Sequence, residues 1–368
     1  MQYFIMNKDR VVVDFDIISY MILSYSQLPY GCTVDTLYNW IMSRIKIRCV
    51  RNVEEFFVSL DLKTVADIID VFHCVSLQDT FWVKRGSDSL NWRDVSPFRN
   101  NYTDLISHYA LEGRLIGLRQ SNTKYFSPVV GTDGTFPHTW KYVDSTNIIF
   151  IKAGTKYTLG GRNSGMEPFS EYFASKLCDY LGFNHVMYTI RRYIRQDKRV
   201  DTVTECKCFT TEKHGSVSAA SLGLSSYEEI INFSRNLGVD SYNTVLDMLF
   251  LDCLLLNTDR HFGNIEFIMD TDSLNILKVV PIFDNNFSLL PRFIEYLDRF
   301  DRSDYIARDN RSFEDLYRLV SSNKNYNSLL IWLKKFKFVK PDSVDISDER
   351  INFLNEFLQI QVDYLLSL

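Results

Sequence analysis

Asn257-Thr258-Asp259-Arg260-His261-Phe262-Gly263-Asn264, followed by Pro281-Ile282-Phe283-Asp284, is the stretch that decides how this chain is read. Asp259 precedes Asn264 by five residues, and Asp284 comes twenty residues after that. Between them, residues 265–269 read as a strand, Asp270-Thr271-Asp272-Ser273 as a turn and 276–283 as the returning strand. A hairpin brings its open ends together, so Asn264 at the entry is expected near Asp284 at the exit, with Asp259 a short loop away. An amide oxygen and a carboxylate around one point suit Mg²⁺, which completes its shell with water and substrate phosphates.

Asp and Asn are common in turns for local hydrogen-bonding reasons. Their setting is what lifts these above ordinary loop residues. An apolar helix lies ahead, over 245–256 with only Asp247 and Asp252 interrupting it; a hairpin lies behind, and Asp284 marks its exit. Asp, then Asn five residues on, then a later Asp is the layout of a kinase catalytic loop and its metal-binding Asp.

The 368 residues allow two or three cores, and the hydrophobic (46%) and charged (24%) fractions are those of a globular chain. A formal net charge of −5 with no long basic run argues against a protein that coats nucleic acid, and no direct nucleic-acid binding is expected. The seven cysteines are scattered, and the first residues have neither a basic start nor a cleavage site, so reduced thiols and a cytoplasmic location are expected. Cys206-x-Cys208 lacks a second ligand pair for zinc. The 245–256 run is too short to span a bilayer, so it is read as a buried helix and no membrane association is expected.

Three regions are expected. Residues 1–100 read as mainly helical after a short start, a region suited to binding a partner, with amphipathic runs at 33–49 and 53–72 capped by Thr33 and Asn52. The aromatic-rich 80–95 segment is expected to pack on a neighbouring domain. Residues 101–210 read as strand-rich: a hairpin of 140–144 and 147–153, a polar loop at 154–165, a helix at 167–181 ended by Gly182, then strands at 187–194 and 203–209. Residues 211–368 are mainly helical apart from the 265–283 hairpin, with helices at 310–322, 327–337 and 347–367.

The strand-rich region supplies the other half of a phosphotransfer site. Lys152 closes a strand whose apolar neighbours would bury its stem and deliver the ammonium to a cleft. Glu171, one turn into the next helix, is its expected acidic partner, with Glu167 the alternative. Gly131-Thr132-Asp133-Gly134-Thr135 would be a loop whose backbone N–H groups approach phosphate. The end of the 203–209 strand, with Lys207 and Phe209, sits where a hinge backbone could bind an adenine edge.

With these residues in place the chain resembles the HipA-like serine/threonine kinases of bacteria. The resemblance is strongest over 257–290, in Asn-Thr-Asp-Arg-His-x-x-Asn and Pro-Ile-Phe-Asp, and extends more loosely through Gly131 to Trp140, Lys152 and 167–181. It implies an α+β, two-lobed atypical protein-kinase-like fold, here with an additional N-terminal mainly helical region. It also implies ATP and Mg²⁺ as cofactors and a protein Ser or Thr hydroxyl as acceptor. Carried over by motif, Asp259 is the catalytic Asp, Asn264 and Asp284 are metal ligands, and Lys152 contacts the nucleotide phosphates; His261 belongs to the motif as a catalytic-loop residue, with bracing of the loop expected ahead of proton transfer. Relatives act with a small antitoxin, so an antitoxin-like partner is implied, as is self-phosphorylation in the 154–165 loop at Thr155, Thr158 or Ser164. Asp284 is followed by Asn285-Asn286 where protein kinases have Phe-Gly, and no Ala-Pro-Glu motif follows, so a conventional activation loop is not expected. Two alternatives stand beside this. A phosphoinositide-kinase-like lipid kinase shares Asp-Arg-His-x-x-Asn, but its basic membrane-facing element is missing, since Arg292, Arg299, Arg302, Arg308 and Arg311 are interleaved with acids. A catalytically silent nucleotide-binding module is the other.

Overall fold

A computed structural model describes residues 1–47, 53–113, 127–132, 134, 136–155, 165–292 and 300–368. In chain order its elements begin with β1 (Gln2–Asn7), β2 (Arg10–Asp16), β3 (Ile22–Tyr25), α1 (Leu37–Arg44), α2 (Val53–Ser59) and α3 (Val65–Phe72). Then come β4 (Phe81–Arg85), α4 (Trp92–Val95), α5 (Asp104–Glu112), β5 (His138–Asp144), β6 (Asn147–Ala153) and α6 (Glu167–Leu181). β7 (Thr189–Ile194), β8 (Val200–Lys207), β9 (His214–Ser218), α7 (Tyr227–Asn236) and α8 (Val239–Leu255) follow. The chain closes with β10 (Glu266–Asp270), β11 (Ile276–Val279), α9 (Phe313–Ser321), α10 (Asn327–Leu333) and α11 (Asp348–Ser367). Two compact units result: one of Met1–Lys152, Lys207–Val217 and Ile268–Ile276, the other of Ala153–Cys206, Ser218–Phe267 and Leu277–Leu368.

In the first unit β1 pairs antiparallel with both β2 and β4, and β3 extends the sheet beyond β2. The first hundred residues are therefore a mixed sheet and helix region, a correction to the mainly helical expectation. The short start is a hairpin, and β4, the strand that completes the sheet beside it, lies more than seventy residues away in sequence. Alternation along β1 sends Tyr3 and Ile5 to a core with Phe15, Trp40 and Ile41, and Met6 to a second core with Trp82, Trp92, Val95, Phe98 and Ile148. The aromatic 80–95 segment thus fills a core of its own unit. The 53–72 run is broken into two helices, because Asp61 turns left-handed (φ +60°) and Thr64 caps α3 by accepting from the Asp67 N–H at 3.1 Å. Thr33 caps the short turn entering α1, its N–H donating to Thr36 Oγ1 at 2.7 Å; Asn52 lies outside the described residues. β5 and β6 form the expected hairpin, with His138 opposite Lys152 and the Asp144 carboxylate accepting from the Thr146 N–H at 2.8 Å.

The second unit is built on α8, which is buried on nearly all sides and packs against α7, α9 and α11. Leu256, at φ +52°, ends it by donating its N–H back to the Asp252 carbonyl. α6 carries Pro168 in its first turn and stops at Gly182, whose φ of +69° suits a residue without a Cβ. β7 and β8 pair antiparallel from Thr189 opposite Glu205 to Ile194 opposite Val200. The β10–β11 hairpin is closed at its open end by the Val280 N–H donating to the Glu266 carbonyl at 3.0 Å. Among the described residues no helix is long and apolar enough to cross a membrane.

Candidate functional site

The chain leaves α8 through Asp252, a carboxylate that is 1% exposed. A charge so placed requires partners. Asn257 Nδ2 donates to it at 2.9 Å, and Arg260 donates twice, from Nε at 3.0 Å and from Nη2 at 3.2 Å. Arg260 is itself 1% exposed and spends its other donors on both ends of the hairpin. Nη1 reaches the Asn264 carbonyl at 3.2 Å and the Phe283 carbonyl at 2.6 Å, and Nη2 reaches Asn285 Oδ1 at 2.8 Å. One guanidinium therefore gathers the last turn of α8, the 257–264 loop and the 283–285 exit. Burial alone would lower the Arg260 pKa, but the Asp252 charge and hydrogen bond outweigh it, with Asp284 and Glu171 adding to the rise.

Within this frame Asp259 is half-buried, its N–H fixed on Asn257 Oδ1 at 3.2 Å and its carboxylate 3.9 Å from Arg308 Nε. Asn264 Nδ2 donates to the Asp259 carbonyl at 3.2 Å. His261 Nδ1 accepts from the Gly263 N–H at 3.1 Å and so caps the turn that carries Asn264. Asp284 is half-buried at φ +56°, a conformation Asp tolerates better than most residues. The backbone after it is held by Glu171 Oε2, which accepts from the Asn285 N–H at 2.5 Å. Tyr188, buried, completes the surroundings: burial first, then the charges of Glu171 and Asp284, push its hydroxyl well above the usual range. Glu167 is buried too, and accepts from the Thr155 N–H at 3.1 Å and from its hydroxyl. Thr158 and Ser164 of that loop lie outside the described residues.

Sequence reasoning missed Arg260, Asn285 and Tyr188. A signal for Arg260 did exist: Asp252 inside an otherwise apolar helix, eight residues earlier, announces a buried charge in need of a cation.

The remaining candidates belong to the first unit. Lys152 ends β6, and its ammonium lies 5.9 Å from the centre of the Phe136 ring. The Gly131 N–H donates to the Lys46 carbonyl at 2.6 Å and the Thr132 N–H to the Val129 carbonyl at 3.1 Å. The Thr132 hydroxyl donates to the Pro128 carbonyl at 2.5 Å. Those donors are committed to the protein, contrary to the expectation that they face phosphate. Gly131 is needed for another reason: at φ +91° a Cβ would meet the Arg44 carbonyl oxygen at 2.6 Å. Gly134, at φ +130°, lies beside the His138 ring, and Asp133 and Thr135 lie outside the described residues. Lys207 is exposed and Phe209 half-buried, on either side of Cys208, whose N–H donates to the Ile148 carbonyl of β6 at 2.8 Å.

No family model matches the chain, and no curated protein matches it. Solved structures do. A proinflammatory kinase of Helicobacter pylori, CtkA, is 17% identical and covers 64% of this chain and 92% of its own, with a TM-score of 0.44, too low to weigh. HipA of Shewanella oneidensis MR-1, solved with HipB and operator DNA as a toxin–antitoxin system, is 11% identical, with a TM-score of 0.58. That match covers 100% of this chain and 99% of HipA. This mixed α/β chain is therefore similar in fold to HipA along its whole length.

Proposed function

We propose that the chain is an ATP- and Mg²⁺-dependent phosphotransferase, a HipA-like serine/threonine protein kinase with the two-lobed fold of that family. The observation that carries this is the Arg260 network, which joins the Asp259 loop, Asn264 and the backbone on both sides of Asp284. Asp259 orients the acceptor hydroxyl and takes its proton as the oxygen–phosphorus bond forms. ADP departs with the electron pair of the bond that breaks. Asn264 and Asp284 are the proposed Mg²⁺ ligands, and the donor set fits: both are hard oxygens. Mg²⁺ so held would complete its shell with water and substrate phosphates. Bound Mg²⁺ would neutralise charge on those phosphates. Lys152 is proposed to offset the rest, and His261 and Glu171 to hold the loop and the hairpin exit in place. A small protein partner, in the way HipA was solved with HipB, belongs to the same proposal.

The test is transfer from γ-labelled ATP with Mg²⁺, wild type beside Asp259→Ala, read by phosphopeptide mass spectrometry. Label on Ser or Thr of the chain or an added protein, absent in the variant, supports the assignment. Mg²⁺-dependent ATP binding without transfer points to a binding module, and no ATP binding removes the proposal.

A further inference from the structure

One residue before Asp259, Thr258 lines a recess of about 200 Å³ whose other walls are Phe287, Leu290, Pro291, Arg292 and Tyr305. The lining is mainly apolar, and among the described residues that form it there is no carboxylate. Its shape is held from two helices. The Leu289 N–H donates to the Leu255 carbonyl at the end of α8 at 2.8 Å, and Arg350 of α11 donates to the Leu289 and Leu290 carbonyls at 2.7 and 3.0 Å. Leu289 and Leu290 both sit in the left-handed region, at φ +61° and +50°, a conformation that persists only where the surroundings impose it. At its edge, exposed Arg292 lies over the Phe287 ring at 4.8 Å.

The recess is smaller than the clefts that enclose nucleotides or other whole ligands. It has room for one large side chain. Consecutive Cα atoms of a polypeptide are 3.8 Å apart, so a chain presenting a hydroxyl to Asp259 would bring a side chain within two residues of that hydroxyl to Thr258. We infer that this recess is an acceptor pocket for a polypeptide carrying a large apolar residue within two positions of its Ser or Thr, with an acidic residue facing Arg292. The inference rests on the phosphotransfer reading and adds its substrate class.

A positional-scanning library of Ser and Thr peptides, with γ-labelled ATP and Mg²⁺, tests it on wild type, Tyr305→Ala, Tyr305→Phe and Arg292→Glu. Wild type should favour Leu, Met or Phe over Gly or Lys next to the acceptor. Tyr305→Ala should raise KM for the favoured peptide by about tenfold while kcat stays within about twofold, and Tyr305→Phe should behave as wild type. Arg292→Glu, on an exposed residue where folding is not at stake, should replace a preference for acidic flanks with one for basic flanks. Transfer that ignores the flanking residues, or flank preferences unchanged in both Tyr305→Ala and Arg292→Glu, overturns the pocket and leaves the phosphotransfer reading standing. Absence of label on every peptide and on the chain itself overturns that reading, and the pocket with it.

Discussion

The Arg260 guanidinium is sealed against the Asp252 carboxylate, Nε to Oδ2 at 3.0 Å, with both side chains 1% exposed. Asp252 belongs to a helix and Arg260 to the loop after it, so the pair fixes where the loop leaves the helix. The same guanidinium holds Asn264 and Phe283 by their carbonyls. Removing either partner leaves the other buried and uncompensated. Asp252→Ala and Arg260→Met should each cost about 3–5 kcal/mol, and the double variant less than their sum. Urea unfolding of the three variants checks this; additive losses would mean the two residues act separately. Arg260→Lys should also be poorly tolerated, because an ammonium cannot reproduce the planar fork.

Asp259→Ala should abolish phosphotransfer with the fold intact, since that carboxylate is half-buried and its backbone anchors remain. Asp284→Gly should do the same, and its stability should stay within about 1 kcal/mol of wild type, because glycine adopts φ +56° without strain while gaining entropy in the unfolded chain. Activity and melting temperature, measured together, separate chemistry from folding. Wild-type transfer by either variant would remove that residue from the site.

Gly131→Ala should lower stability by about 1–3 kcal/mol, from a positive φ and a Cβ placed 2.6 Å from the Arg44 carbonyl oxygen. Thermal unfolding without nucleotide reads this directly. A variant as stable as wild type but weakened only in ATP affinity would return Gly131 to the phosphate-binding role that its N–H contacts argue against.

Glu212 accepts from Trp92 Nε1 at 2.9 Å, Ser96 Oγ at 2.7 Å and Arg99 Nε at 2.8 Å. Burial pushes its pKa up, but the Arg99 and Ser96 hydrogen bonds, the Arg99 charge and the Trp92 bond together leave it below the usual glutamate range. A depressed carboxylate contributes stability above its unfolded pKa and loses it as the pH falls through the folded one. Urea midpoints of wild type should therefore drop across the acid range below the ordinary glutamate pKa, and Glu212→Gln should show a shallower drop. Identical slopes would show that Glu212 is not a source of the acid sensitivity.

Elements of this protein that depend on neighbours in sequence could be read from the sequence alone. The 167–181 helix has Pro168 at its start, an apolar face through Phe169, Phe173 and Leu177, and Gly182 at its end; the structure has α6 over those residues. The turn at Asp144 and the 265–283 hairpin likewise depend on side chains bonding to backbone two or three residues away, as Asp270 does to the Ser273 N–H at 2.8 Å. Such signals fall within a few residues of one another, so periodicity and cap chemistry suffice to find them. The nearness of Asn264 to the Asp284 end of the hairpin was legible for the same reason.

What only the tertiary structure decided depends on partners far apart in the chain. The expectation of a mainly helical first hundred residues passed over β1, whose second edge is supplied only by β4, far along the chain; a strand without its partners has little to mark it. Glu171 and the Asn285 N–H are more than a hundred residues apart, yet that contact holds the hairpin exit. Arg260 stood in the quoted motif without a role, because a sequence does not reveal burial. Burial determines its role: an exposed arginine would be indifferent to its neighbours, whereas one withdrawn from water must satisfy every donor it has, and in doing so it ties the helix, the loop and the hairpin to one another.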